Sequence, residues 1–133
     1  MNMRAVFFAA LFAVSSGNAA EAALLRCSPE PGRLQVHVHG FGKGDRLPDG
    51  LDTFSAFVRA GADEYELDPE HMTGSSLRAD VLRIEARRDL SAGAAAELVF
   101  EGEAAADGTE FMARITFRAE GRVMQGIVRC KLL

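Results

Sequence analysis

The stretch from Leu82 to Cys130 can fold on itself in one register that satisfies both its apolar and its charged residues, and this limits the whole chain more than any other feature. Asp107-Gly108 is a favoured two-residue hairpin turn. Folding there sets Phe100 against Ile115, Leu98 against Phe117 and Ala104 against Phe111 on one side of the ribbon. The same register sets Glu101 against Arg114 and Glu97 against Arg118 on the other side. Cross-strand pairs stabilise a sheet, and a slip of one residue would reverse every side chain, so this agreement fixes the register. A second fold at Glu120-Gly121 sets Phe117 opposite Met124, Ile115 opposite Gly126, Ala113 opposite Val128 and Phe111 opposite Cys130. All of these fall on the side already assigned to the core. Upstream, Gly93 marks a third turn. An odd-length loop there keeps Leu82, Ile84, Ala86 and Leu90 on the core face and sets Glu85 opposite Glu101. Residues 77–132 are thus predicted to form a four-stranded antiparallel meander with one apolar face.

Such a face needs a cover, and the first half of the chain must supply it. Leu34, Val36 and Val38 alternate with Arg33, Gln35, His37 and His39, which predicts a strand. Phe54, Ala56 and Val58 alternate with Thr53, Ser55 and Phe57 and predict another, although Leu51, Phe54 and Val58 also fit a helix over 51–60. Gly61-Ala62-Asp63 turns this segment into a short strand holding Tyr65 and Leu67. The expected fold is all-β: a small antiparallel β-sandwich or barrel of six to seven strands ending in the four-stranded meander.

Cys27 and Cys130 are the two cysteines of the chain and lie near its ends. In front of them, Met1 to Ala20 has the layout of a secretory signal peptide: Arg4, an apolar run from Ala5 to Val14, then small and polar residues. The run falls short of the roughly 20 apolar residues that span a membrane. Cleavage is expected within residues 19–22, leaving residues 21–133 as a single β-domain. In an exported chain the two cysteines are expected to form a disulfide. The chain-entropy model assigns up to about 4.7 kcal/mol to closing a loop of some 100 residues. Only Lys43 and Lys131 among 15 basic residues are lysine, and Ala and Gly are frequent, a bias of GC-rich bacterial genomes; a Gram-negative periplasm or full secretion is expected. The net charge of −4 leaves no basic stripe for a phosphate backbone, which argues against nucleic-acid binding.

Candidate chemistry is sparse. His37 and His39 flank Val38, so strand alternation puts both imidazoles on the outer face at a spacing that can chelate a metal. His71 and Met72, read as loop residues, would complete a copper or zinc set. The opposing reading is two solvated side chains, and no metal or other cofactor is assigned on this basis. Gly40-Phe41-Gly42-Lys43-Gly44-Asp45 reads as a long glycine-rich connection, because no helix start and no Lys-Ser/Thr ending follow it. Asp63, Glu64, Glu66, Asp68 and Glu70 lack calcium-loop spacing and read as a solvated acidic edge. No serine sits in a GxSxG elbow; Ser75 and Ser76 follow Gly74 in an expected loop near His71. No catalytic residues are assigned, and the chain is read as a non-enzyme.

The layout of a short exported all-β chain, bridged from an early cysteine to one in Val128-Arg129-Cys130-Lys131-Leu132, resembles the small inhibitors of c-type lysozyme. That family's Ser-Gly-x-x-Tyr signature has no counterpart, since Ser91-Ala92-Gly93-Ala94-Ala95 lacks the tyrosine, and no binding residues carry over. The functional expectation is a non-catalytic module that binds a protein or cell-envelope component. The alternatives are inhibition of an envelope-degrading hydrolase, as the resemblance implies, and periplasmic copper or zinc binding through His37 and His39.

Overall fold

The computed structural model describes residues 22–43, 50–103 and 110–133. The signal-peptide reading, the Asp107-Gly108 turn and the Ala104 pairing lie outside these residues. Nine strands form one antiparallel sheet: β1 (Ala22–Pro29), β2 (Leu34–Lys43), β3 (Thr53–Ala60), β4 (Asp63–Leu67), β5 (Met72–Arg78), β6 (Val81–Asp89), β7 (Ala95–Glu103), β8 (Glu110–Ala119) and β9 (Arg122–Leu132). Their order is β4-β3-β2-β1-β9-β8-β7-β6-β5. Every neighbour is a sequence neighbour except β1 and β9, which pair and bring the first and last strands together. The sheet curls into a nearly closed barrel whose one unpaired seam lies between β4 and β5. Those two strands are joined by a 3-10 turn, Pro69–His71.

The C-terminal half follows the pairings set by its turns. Phe100 opposes Ile115, Leu98 opposes Phe117, Glu101 opposes Arg114 and Glu97 opposes Arg118. Phe117 opposes Met124 and Phe111 opposes Cys130. Glu120 and Gly121 both have positive φ, 53° and 76°, as a primed hairpin turn requires. Two expectations are corrected. The sheet has nine strands, two or more beyond the expected number, because neither 22–29 nor 72–78 shows a clear alternation that announces a strand. Segment 53–60 is the strand expected from its alternation, and the helical alternative is overturned. Glu85 faces Val99, while Arg83 faces Glu101 at 2.8 Å. The β6–β7 turn is centred on Ala92 and not on Gly93, which shifts the pairing by two residues and exchanges a repulsive pair for an attractive one without changing faces.

Alternation sends Leu25, Val36, Val38, Phe54, Val58, Leu67, Ile84, Leu98, Phe100, Ile115 and Phe117 inward, all at most 2% exposed, and among the described residues no polar or charged side chain is buried with them. The interior is a packed core. Cys27 and Cys130 face each other across β1 and β9 and form a disulfide with Cα atoms 4.0 Å apart. Leu24 and Leu133 exchange both backbone hydrogen bonds, so three residues along, the cysteines occupy a non-hydrogen-bonded pair, the site of closest strand approach.

Side chains seal the seam. Arg88 on β6 donates to the Glu66 carbonyl on β4 at 2.7 Å. Leu51 lies over Gly40, and its N–H donates to Ser75 Oγ on β5 at 2.6 Å. At one end the Tyr65 ring packs against Phe117 at a tilt of 52°, with ring centroids 5.0 Å apart, and its hydroxyl donates to Glu120 at 2.6 Å. Arg122 binds Asp63 at 2.8 Å alongside. An unpaired strand edge invites association with other chains, and these contacts bridge the gap between the two edges.

Candidate functional site

On β2 the inward turn of Val36 and Val38 forces His37 and His39 outward, and both are exposed. Their neighbours follow from two registers. His37 lies beside Phe57 and His39 beside Ser55 on β3. On β4, Glu66 then lies beside Phe57, and Leu67 beside Ala56. The outer face thus carries a row His37–Phe57–Glu66 and, next to it, His39 and Ser55 leading to Asp68. Ser55 is small where Phe57 is large, which leaves a depression of about 220 Å³ lined by His37, His39, Ser55, Phe57, Glu66 and Asp68. On the far side of His39, Arg26 of β1 is its cross-strand neighbour.

The other two sequence-level ligand candidates do not join this depression. Met72 begins β5 and packs on the core. His71 ends the 3-10 turn, where its Nδ1 accepts the Asp68 N–H at 2.9 Å while its own N–H donates to the Asp68 carbonyl at 2.9 Å. An Nδ1 that accepts leaves the ring proton of the neutral imidazole on Nε2, the reverse of a metal-ligating histidine, which donates through its second nitrogen. Asp68, Glu70 and His71 do place one ligand atom each within 4.8 Å of one another. The hydrogen bonds make His71 the clamp of that turn, and it stands behind Asp68.

The acidic edge is divided by strand alternation. Asp63 pairs with Arg122, and Glu64 sits 3.7 Å from Arg59, while Glu66 and Asp68 line the depression. Glu66 and Asp68 are the site residues that sequence reasoning missed as partners of the histidines. The turn at Gly61-Ala62 carried the signal for one side of the arrangement, since folding there sets Phe57 against Glu66.

Two loop readings are corrected here. Ser75 and Ser76 lie on β5, and Ser75 Oγ accepts from the Leu51 backbone; among the described residues no serine hydroxyl bonds to an imidazole. Gly40 to Lys43 continue β2 rather than forming a loop. Gly40 leaves room there for Leu51, whose Cδ1 would lie 2.6 Å from an added Cβ and would have to shift.

A second hollow, about 500 Å³, lies on the outer face of β6 to β9, where Val81, Met112 and Ile127 are ringed by Glu101, Glu103 and Arg114. Around it the outer face is laced with ion pairs: Arg83 with Glu101 and Glu85, Arg87 with Glu97, and Arg129 with Glu30 and Glu110. Hydrogen bonds to Glu101 and Glu85 push the Arg83 pKa upward, and those to Glu30 and Glu110 do the same for Arg129. Both guanidiniums stay charged. Met112 and Ile127, 45% and 41% exposed, are apolar islands in this charged lattice. No protein-family model, curated protein or solved structure matches the chain.

Proposed function

We propose that the chain is an exported, non-catalytic β-domain that binds a protein or cell-envelope component on the outer surface of its barrel. The observation that carries this reading is the filled interior. Among the described residues the inward side chains are apolar and pack together as one core cluster, which favours recognition by the surface over chemistry in the interior. Recognition is then left to the outside. The hollow around Met112 and Ile127 has the composition of an interface, an apolar centre with a charged rim. The disulfide suits an oxidising compartment. No helix among the described residues is long and apolar enough to cross a membrane.

The test is crosslinking of the immobilised protein to components of an envelope extract. A discrete partner captured by the parent protein and lost with Met112→Glu plus Ile127→Glu is the expected result. Capture that is identical for both proteins, or none by either, overturns the reading.

A further inference from the structure

Three outer-surface features remain after the fold is accounted for: the sealed seam, the apolar island and the histidine depression. The last is lined by two histidines of β2, by Glu66 of β4 and by Asp68 just after it. We propose that His37, His39 and Asp68, with Glu66 at the rim, form a surface site for a divalent transition metal of the zinc class.

Residues i and i+2 on a strand lie about 6.7 Å apart, so two imidazoles leaning toward each other can share one ion at bond lengths of about 2.0–2.1 Å. The chain holds three histidines, and two of them are this pair. The third, His71, accepts the Asp68 N–H and holds that backbone in place; the Asp68 carboxylate lies within 4.8 Å of Glu70 and His71 and joins the pair by turning about its side-chain bonds. Asp68 lies two strands from His39, roughly 9.6 Å across the sheet. A bulky side chain between them would stand in the way; Ser55 there keeps the path open, as the depression shows. Two neutral nitrogens and two carboxylates make a borderline-to-hard donor set, which suits Zn²⁺, Ni²⁺ or Cu²⁺. The soft ligand that would favour Cu⁺ is absent from the set, because Met72 packs on the core. Exposed on a rigid sheet, the ligands need no folding step to assemble. Arg26, beside His39, is the one opposing charge on β1 and weakens the site without closing it.

The experiment is calorimetric titration of the tag-free, disulfide-bonded protein with ZnCl₂, together with proton NMR of the imidazoles during CuCl₂ addition. One equivalent of zinc is expected to bind in the micromolar range. His39→Ala and Asp68→Asn are each expected to weaken it by about 10- to 100-fold, the range seen even for groups that only support a metal ligand. Paramagnetic broadening is expected to reach the His37 and His39 resonances before that of His71. All three side chains are at the surface, and far-ultraviolet circular dichroism verifies that each variant keeps its sheet. The proposal is overturned by the absence of saturable binding, by zinc affinity that survives loss of both His37 and His39, or by broadening that begins at His71.

Discussion

Tyr65 shows how one side chain can close an end of the barrel. Its ring reaches from β4 to Phe117, and its hydroxyl donates to Glu120 in the turn between β8 and β9. The bond to the Glu120 carboxylate, then partial burial, then the charges of Glu120 and Asp63 raise the phenol pKa above 10.0, while Arg122 opposes them. A raised folded-state pKa means that the contribution is whole below the unfolded value of about 10 and fades as pH climbs through the folded value. Tyr65→Phe is therefore expected to cost about 0.5–1.5 kcal/mol at pH 7 and to remove part of the stability loss expected above pH 10. Urea midpoints at pH 7, 9 and 11 check both statements; equal alkaline slopes for parent and variant contradict the assignment. Gly126 acts by what it lacks. A Cβ there would lie 3.0 Å from the Leu34 carbonyl and 3.2 Å from the Leu34 Cβ, where β9 runs past the end of β1 and meets β2. Gly126→Val is expected to destabilise by about 1–3 kcal/mol through overpacking, read as a lower urea midpoint at an unchanged slope.

The elements differ in how plainly their residues announce them. β7, β8 and β9 carry apolar residues on one face and matched charges on the other, so turn position and side-chain chemistry agree on one register. The β6–β7 register was legible to within two residues: alternation fixed the face, and only the Arg83–Glu101 pair fixes the step. β5 was illegible because Met-Thr-Gly-Ser-Ser-Leu-Arg has no buried residue and pairs on one side only, with a register shift between Met72 and Gly74. β1 was illegible for a different reason, since Leu24 and Leu25 adjoin and hide the alternation. The same limit applied to the candidate site. Period two announced the outward histidines, whereas Glu66 and Asp68 reach them only through the β2–β3 register, whose long connection gives no turn to count from. Of all the pairings, β1 with β9 depends most on one covalent link. Cys27→Ser with Cys130→Ser opens a loop spanning a separation of 103 residues and is expected to cost about 2–5 kcal/mol. A urea midpoint within error of the disulfide-bonded protein would show that the ladder alone holds these strands.

At the scale of the whole molecule, the chain is a meander cut at an unusual place. The sequence ends of the sheet, β1 and β9, are hydrogen-bonded neighbours, while β4 and β5, consecutive in sequence, are the unpaired edges. Leu24 and Leu133 bond to each other through both backbone groups, so residues 22 and 133 lie within reach of a short glycine-serine linker. A circular permutant joined there and opened between Glu70 and His71 breaks no ladder; it removes one 3-10 turn from the seam. Loop-closure entropy changes slowly with length, so this permutant is expected to keep the disulfide and to lie within about 2 kcal/mol of the parent. Opening instead at Glu120-Gly121 separates the β8–β9 hairpin and the Tyr65–Glu120 tie, and is expected to cost clearly more. The pair of permutants also distinguishes fold from site. The seam-opened protein loses the Asp68–His71 clamp while His37 and His39 keep their strand. Its zinc affinity should therefore fall, although it stays folded. A seam-opened permutant that unfolds, beside a turn-opened one that does not, would mean that the barrel is held closed across β4 and β5, and that the β1–β9 pairing is the weaker joint.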